Sequence, residues 1–415
     1  MKNILYILFF ISFVFTGCVK DQDDIFDLPS AQRAEQLNKD CKATLVAAPN
    51  GWVMEYYPST QYYGGSFIYM TFTQDSVRMT DEAKLDLTPV SFYSLKLDNG
   101  PVLSFDTYNE VIHKYADPGQ DGIGYGGDYE FIIVSVSPDV IMLTGKKGFD
   151  KIVMRPLAQG KTFAQYLDEV KSMDSYLNMN PQWRLIDGND TLYISGDDKR
   201  HFMTSVDPAF VNDVVANAAL PTQDGIIFNP ALELNGKSYS IFKFSDDKTS
   251  LISTDSKLTG KIVGETPQEN FLTMMAKGKT WNMLSGEGNM SDKVREFYTL
   301  LENGCSDKGR KLSNVGFSFK DNNYLLRIGS KKGSTEAKGE FYYDVTSGDN
   351  TVSYKYLDKS DTNGANYLKT FSGFNEFVNF VTGSYTLSTT DYLMVKNIRM
   401  TSKSDASVWF DISLN

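Results

Sequence analysis

At Trp52 the hydrophobic period of this chain drops from helical to strand-like, and it stays near two as far as Met154. Before that point Ala34, Leu37, Cys41 and Leu45 recur at i, i+3 and i+4. They predict one helix, with Ser30 as its cap and Ala48-Pro49-Asn50-Gly51 as its stop. After it, alternating segments run at Trp52–Tyr57, Ser66–Thr73, Ser76–Thr80, Val90–Leu97, Val102–Phe105, Tyr129–Ser135, Val140–Thr144 and Lys151–Met154. Turns such as Asp98-Asn99-Gly100 and Gly145-Lys146-Lys147-Gly148 part them. Such spacing predicts a strongly bent antiparallel sheet or small barrel with one helix, ending near Leu157.

The pattern then starts again. Thr162-Phe163-Ala164-Gln165 is a capping-box sequence opening a helix to Leu177, with Phe163, Tyr166, Val170, Met173 and Leu177 as its inward stripe. Strands are expected at Trp183–Ile186, Thr191–Ser195, His201–Ser205, Gly225–Phe228, Ser238–Phe244 and Thr249–Thr254. A helix followed by a tryptophan-bearing strand thus occurs twice, at Trp52 and Trp183, which suggests duplication of one helix-plus-sheet unit. The last third opens with Thr266-Pro267-Gln268-Glu269, a cap, a first-turn proline and a capping glutamate. A helix at Ser291–Glu302 follows, then strands at Val315–Lys320, Tyr324–Ile328, Gly339–Val345, Thr351–Tyr356, Ser384–Leu387, Leu393–Met400 and Ser407–Ile412. Phe371, Phe374, Phe377 and Phe380, three apart, read as the edge of a packed core and not as a binding strip. The expected class is α+β, predominantly antiparallel β, in strongly bent sheets or small barrels each with one or two helices. The expected divisions are 1–17, 18–28, 29–158, 159–265 and 266–415.

A chain of 415 residues exceeds one ordinary core, in line with several domains. Aromatics at 13%, with 24 Tyr and 27 Phe, suit β-structure. The net charge of −11 argues against nucleic acid or anionic lipid as a partner. Catalytic signatures are missing. With only His113 and His201, a three-histidine zinc site is excluded, and both histidines read as structural. No G-x-S-x-G elbow, P-loop or dinucleotide-binding glycine pattern falls in the right setting, and a carboxylate pair would leave no sequence signature. Cys41 and Cys305 can form one long-range disulfide or stay as two buried thiols; the apolar neighbours of Cys41 favour thiols.

Two kinds of loop could bind something. Gln61-Tyr62-Tyr63-Gly64-Gly65 and Tyr125-Gly126-Gly127-Asp128-Tyr129 would present Tyr62, Tyr63, Tyr125 and Tyr129 as flat faces with a hydrogen-bonding end, suited to sugars or peptides. The alternative is turn glycines beside strand tyrosines. Asp117, Asp121 and Asp128 match the first, fifth and twelfth positions of a calcium loop, with Gly122 at the sixth; Gly119 lacks the third ligand and no helices flank the segment. No other cofactor is expected.

The first residues give an address. Met1-Lys2-Asn3, the apolar run Ile4 to Phe15 and Phe15-Thr16-Gly17-Cys18 have the layout of a lipoprotein signal cut before Cys18, which would then carry diacylglyceryl and palmitoyl chains. The run is shorter than the roughly 20 residues a membrane span needs. Val19-Lys20-Asp21-Gln22-Asp23-Asp24 follows as an acidic tether. Its placement resembles the signal that sends lipoproteins of Bacteroidetes-type envelopes to the outer face of the outer membrane, with periplasmic retention as the alternative. Together with Ser30-Ala31-Gln32-Arg33, Gly51-Trp52, Tyr56, Gly64-Gly65, Tyr69-Met70-Thr71-Phe72 and the Phe149–Pro156 segment, the chain resembles an uncharacterised family of such lipoproteins. The resemblance implies an accessory of starch-utilisation-like uptake loci, beside an outer-membrane transporter and its lipoprotein lid. It supplies no catalytic residue. The expected role is a non-catalytic surface lipoprotein that binds or presents a peptide or glycan to the importer. A structural subunit with protein partners only is the alternative, and a hydrolase with an unrecognised carboxylate pair stands third.

Overall fold

The computed structural model describes residues 29–118, 124–148, 151–178 and 181–414. The leader, Cys18, the tether and Asp121 lie outside the described residues. The fold is α+β and mostly antiparallel β, in three sheets that are closed or nearly closed barrels. The chain divides into two compact units, one made of residues up to 54, 68–113 and 128–160, the other of 55–67, 114–127 and 161 onward.

In the first unit, helix α1 (Ser30–Ala47) buries Asn38, Cys41 and Leu45. Ser30 is its first helical residue; Pro29 occupies the cap position and no side chain caps the helix, so the expected Ser30 cap is not formed. The sheet, in which Glu55 and Tyr56 of β1 and Ser66 and Phe67 of β2 count with the second unit, comprises β1 (Trp52–Tyr56), β2 (Ser66–Phe72), β3 (Ser76–Asp81), β4 (Val90–Phe92), β5 (Ser94–Leu97) and β6 (Pro101–Ser104). After the single turn α2 (Glu110–His113) come β7 (Glu130–Val136), β8 (Ile141–Gly145) and β9 (Lys151–Pro156). The order is β4-β3-β2-β1-β9-β8-β7-β6-β5, so the first strand pairs with the last and the two ends of the sheet are consecutive strands. Only Tyr93 separates them. The single strand expected at Val90–Leu97 is cut there because the Tyr93 ring turns inward against Phe72, at 5.1 Å, and its hydroxyl donates to the Thr73 carbonyl at 2.9 Å.

The second unit holds two closed barrels. Helix α3 (Phe163–Leu177) has its capping box in place: Gln165 N donates to Thr162 Oγ1 at 3.2 Å, and Thr162 N donates to Gln165 Oε1 at 2.8 Å. The first barrel runs through β10 (Gln182–Asp187), β11 (Asp190–Gly196), β12 (His201–Ser205), β13 (Val215–Pro221), β14 (Gly225–Leu234), β15 (Lys237–Phe244), β16 (Leu251–Ser253) and β17 (Lys261–Gly264), with β17 paired back to β10. Alternation builds its core: Trp183 and Leu185 on β10 and Leu192 and Ile194 on β11 point inward. The alanine-rich β13 and the four-residue β17 carry too little alternation to be read from sequence.

Helix α4 (Pro267–Ala276) leads into the second barrel. Its strands are β18 (Trp281–Met283), β19 (Lys311–Lys320), β20 (Asn323–Lys332), β21 (Thr335–Gly348), β22 (Thr351–Ser360), β23 (Gly383–Ser388), β24 (Asn397–Ser402) and β25 (Trp409–Leu414). The helices α5 (Asp292–Ser306), α6 (Thr362–Thr370) and α7 (Phe374–Phe380) belong to it. Phe374 and Phe377 are fully buried in its core and Phe371 nearly so, the packed edge expected of the phenylalanine series. The helix-then-tryptophan plan therefore occurs three times, since Trp281 follows α4 and β18 closes on β25. Cys41 and Cys305 are both free and buried, and burial pushes their thiols up to about 12 and about 11.

Candidate functional site

The tyrosine segments 55–67 and 114–127 belong to the second unit, where the first is held by groups that local sequence does not advertise. Arg200 is the main clamp. Only 8% exposed, it donates from Nη1 to the Gly65 carbonyl at 3.2 Å and from Nε to Asp174 Oδ1 at 2.6 Å, with its guanidinium over the Phe67 ring. A buried guanidinium is tolerable only when paired in this way. His201 adds a second hold: its Nε2 lies 2.9 Å from the Thr60 carbonyl and its Nδ1 3.3 Å from Asp197 Oδ2. His201 thus orders the candidate loop.

Gly64 and Gly65 serve close approach and not a turn. A Cβ on Gly64 would sit 2.0 Å from the Lys199 carbonyl, and one on Gly65 would sit 2.6 Å from Leu220 Cγ. The backbone is pressed onto the barrel wall where no side chain fits.

On this base the rings build outward. Tyr56, fully buried, meets Tyr115 edge-on at 5.0 Å, and Tyr115 donates its hydroxyl to Ser66 Oγ at 2.8 Å. Tyr63 packs on Tyr115 at 5.6 Å and on Tyr125 at 4.6 Å. Tyr62 is 48% exposed and Tyr125 39%, so the stack grades from a dry floor to a wet rim. Lys114 Nζ lies 4.6 Å over the Tyr115 ring, a cation–π contact at the side of the stack. Gly127 closes it, its amide donating to the Tyr115 carbonyl, with no room for a Cβ beside the Tyr56 hydroxyl. The arrangement offers flat apolar faces and phenol hydroxyls on a pre-ordered support. Among the sequence candidates it brings together the Tyr63 and Tyr125 rings, with the exposed Tyr62 beside Gly126. Tyr56 and Tyr115, the floor, were missed because each reads as an ordinary strand or loop tyrosine.

Tyr129 belongs to the first unit. There it stacks on His113, with centroids 4.7 Å apart, and Lys147 Nζ lies 5.5 Å over its ring. His113 receives the Asn109 amide on Nδ1 at 3.1 Å. Of the calcium-loop carboxylates, Asp117 is exposed, and Asp128 is buried with Oδ2 accepting the Lys147 and Gly148 amides at 2.9 and 3.1 Å. One oxygen of Asp128 is thus committed to holding the turn after β8. Among the described residues no group of three or more His, Cys, Asp or Glu side chains is placed to hold a metal ion.

The fold and loop cluster define a protein of helix-led antiparallel barrels carrying an ordered tyrosine stack. The chain belongs to the family described as a domain of unknown function (DUF4302), which matches residues 22–246. That span takes in the first sheet, both tyrosine segments and the strands β10–β15. No curated protein matches the chain.

Proposed function

We propose that this protein is a lipid-anchored, non-catalytic surface protein that binds a glycan or peptide nutrient on its tyrosine stack and presents it to an outer-membrane importer. The observation that carries the reading is the Tyr63–Tyr125 pair with Tyr62 at its rim, held by Arg200 and His201. A preorganised aromatic face loses little entropy on binding and suits both the C–H face of a sugar and a peptide side chain. Anchorage through Cys18 and an outer-face address from Lys20 to Asp24 are supported by the leader and tether sequence. They fit an accessory of a starch-utilisation-like uptake system in a Bacteroidetes-type envelope.

The test is retention on immobilised oligosaccharides and peptides. Replacing both Tyr62 and Tyr63 by alanine is expected to lower affinity about 10-fold without unfolding the domain. Equal retention by the double variant removes this face from the function. Co-purification from native membranes, with Cys18→Ala as the unanchored control, checks the importer partnership. A second reading, an assembly subunit with protein partners only, is favoured by the hairpin between β12 and β13, where Val206, Val211 and Val215 are 54%, 75% and 53% exposed.

A further inference from the structure

Away from the tyrosine stack, strands β10 and β11 and helix α4 enclose a cleft of about 380 Å³. That is near the lower end of the range for small-molecule sites, enough for a short ligand. Two observations set it apart from an incidental groove. The first is Phe210, which reaches the cleft from the β12–β13 hairpin with φ at +54°, the left-handed region that a bulky side chain occupies only under strain. The hairpin is built to hold it there. The Asp207 carboxylate accepts the Ala209 amide at 2.9 Å, the Val211 amide at 3.3 Å and the Asn212 side-chain amide at 3.2 Å, while the Phe210 amide donates to the Asp207 carbonyl at 3.0 Å. Strain of this kind clusters where a side chain has to be aimed.

The second observation is the polar lining. Arg184 of β10 pairs with Glu269 of α4, whose Oε2 also accepts the Thr266 amide at 2.8 Å in the capping box. Glu265 is different. Asn270 donates to its Oε2 at 2.9 Å and Thr273 to its Oε1 at 3.2 Å, one bond on each oxygen. A carboxylate has about four acceptor directions, so one on each oxygen stays open. Burial pushes the Glu265 carboxyl up.

We propose that this cleft is a second binding site, for a short neutral saccharide. Phe210 and Tyr193 offer apolar faces to the C–H face of a sugar ring, and Glu265 and Gln268 face its hydroxyls. The site's two carboxylates outnumber its one guanidinium, which is already paired, so anionic sugars are disfavoured.

The test is calorimetric titration of the soluble chain with maltotriose, cellotriose and xylotriose, and with trigalacturonate as the charged control. At least one neutral probe is expected to bind at or below ~10 mM, with trigalacturonate weaker. Phe210→Gly fits the left-handed backbone without strain, so it should fold and melt normally while binding that probe about 10-fold more weakly. Glu265→Gln is expected to weaken it as well, and Phe210→Gly to bring the same further loss when it is added to the Tyr62→Ala/Tyr63→Ala double variant. The proposal is overturned if no neutral probe binds, if Phe210→Gly and Tyr193→Ala both keep the parental affinity, or if trigalacturonate binds as tightly. Loss in the Tyr62/Tyr63 variant alone assigns the sugar to the tyrosine stack and also overturns it. Retention there with loss in Phe210→Gly leaves the cleft standing whatever becomes of the stack.

Discussion

The first sheet and the first closed barrel share one plan and complete it by different means. In each, a helix leads into a tryptophan-bearing strand and that strand pairs with the last of its sheet. The barrel closes through backbone ladders around its whole circumference. In the sheet, the strand that would complete the circle is broken at Tyr93, and a side chain ties one side of the seam, β4, to the start of α2. Asn109 Nδ2 donates to Ser91 Oγ at 3.1 Å, while Asn109 Oδ1 caps α2 through the Val111 amide. The edges β4 and β5, three and four residues long, leave little open ladder to pair with another chain. The tryptophans differ too. Trp52 donates its indole N–H to the Leu45 carbonyl of its own helix at 3.1 Å, and Trp281 likewise to Phe271 at 3.2 Å. Trp183 donates instead to the Leu393 carbonyl, 210 residues away, at 2.8 Å. A repeated plan can thus be satisfied locally or by a distant loop, and the two solutions should respond differently to damage.

The largest test of that contrast is Trp183→Ala, expected to cost about 3–5 kcal/mol and to raise amide exchange around residues 393–395, because the Leu393 carbonyl loses its donor. Trp52→Ala should cost a similar amount with faster exchange in α1. If exchange near Leu393 is unmoved, Trp183 is as self-contained as Trp52 and the contrast fails. Next is Asn109→Ala, which removes both the α2 cap and the seam bond and should cost about 1–2 kcal/mol. Hydrogen exchange should quicken at β4 and α2 before any other element; uniform quickening would show that the seam is not held there.

The smallest effect is acid sensitivity. Lys96 and Lys146 beside Glu130, with a bond from Ser104, hold its carboxyl down to about 2. Lys237, Thr259 and Tyr239 do the same for Asp187 in the barrel. A carboxylate with a depressed folded-state value stabilises the fold above its ordinary value near 4, and loses that contribution as pH falls toward 2. Glu130→Gln should therefore lower the unfolding free energy at pH 7, by less than about 1 kcal/mol because the pair is partly solvated, and flatten the decline between pH 4 and 2. Asp187→Asn should flatten the same decline through the barrel. A decline unchanged in both variants would place the acid response elsewhere.

Much of the architecture was legible along the chain. The capping boxes at Thr162 and Thr266 use side chains three residues apart, so they form as read. Most strands could be read from alternation, because one face of each is buried. Departures occur where a distant group competes. The strand expected at Leu393–Met400 begins only at Asn397, since Leu393 is buried in the core of the first closed barrel and gives its carbonyl to Trp183. The tyrosine stack was half legible: Tyr62, Tyr63 and Tyr125 stood out by their glycine neighbours, while Tyr56, Tyr115, Arg200 and His201 carried no local mark.

By itself the sequence determined the α+β class, the barrel-forming meanders and the repeated helix-then-tryptophan plan, because hydrophobic period, turns and caps act over a few residues. Tertiary structure decided the third copy of that plan, the opening of the first sheet at Tyr93, the clamp on the tyrosine segments and the aim of Phe210 into its cleft. Each of those rests on a contact between residues far apart in the chain, or on a backbone conformation that only such contacts can hold, and neither leaves a periodic trace in the sequence.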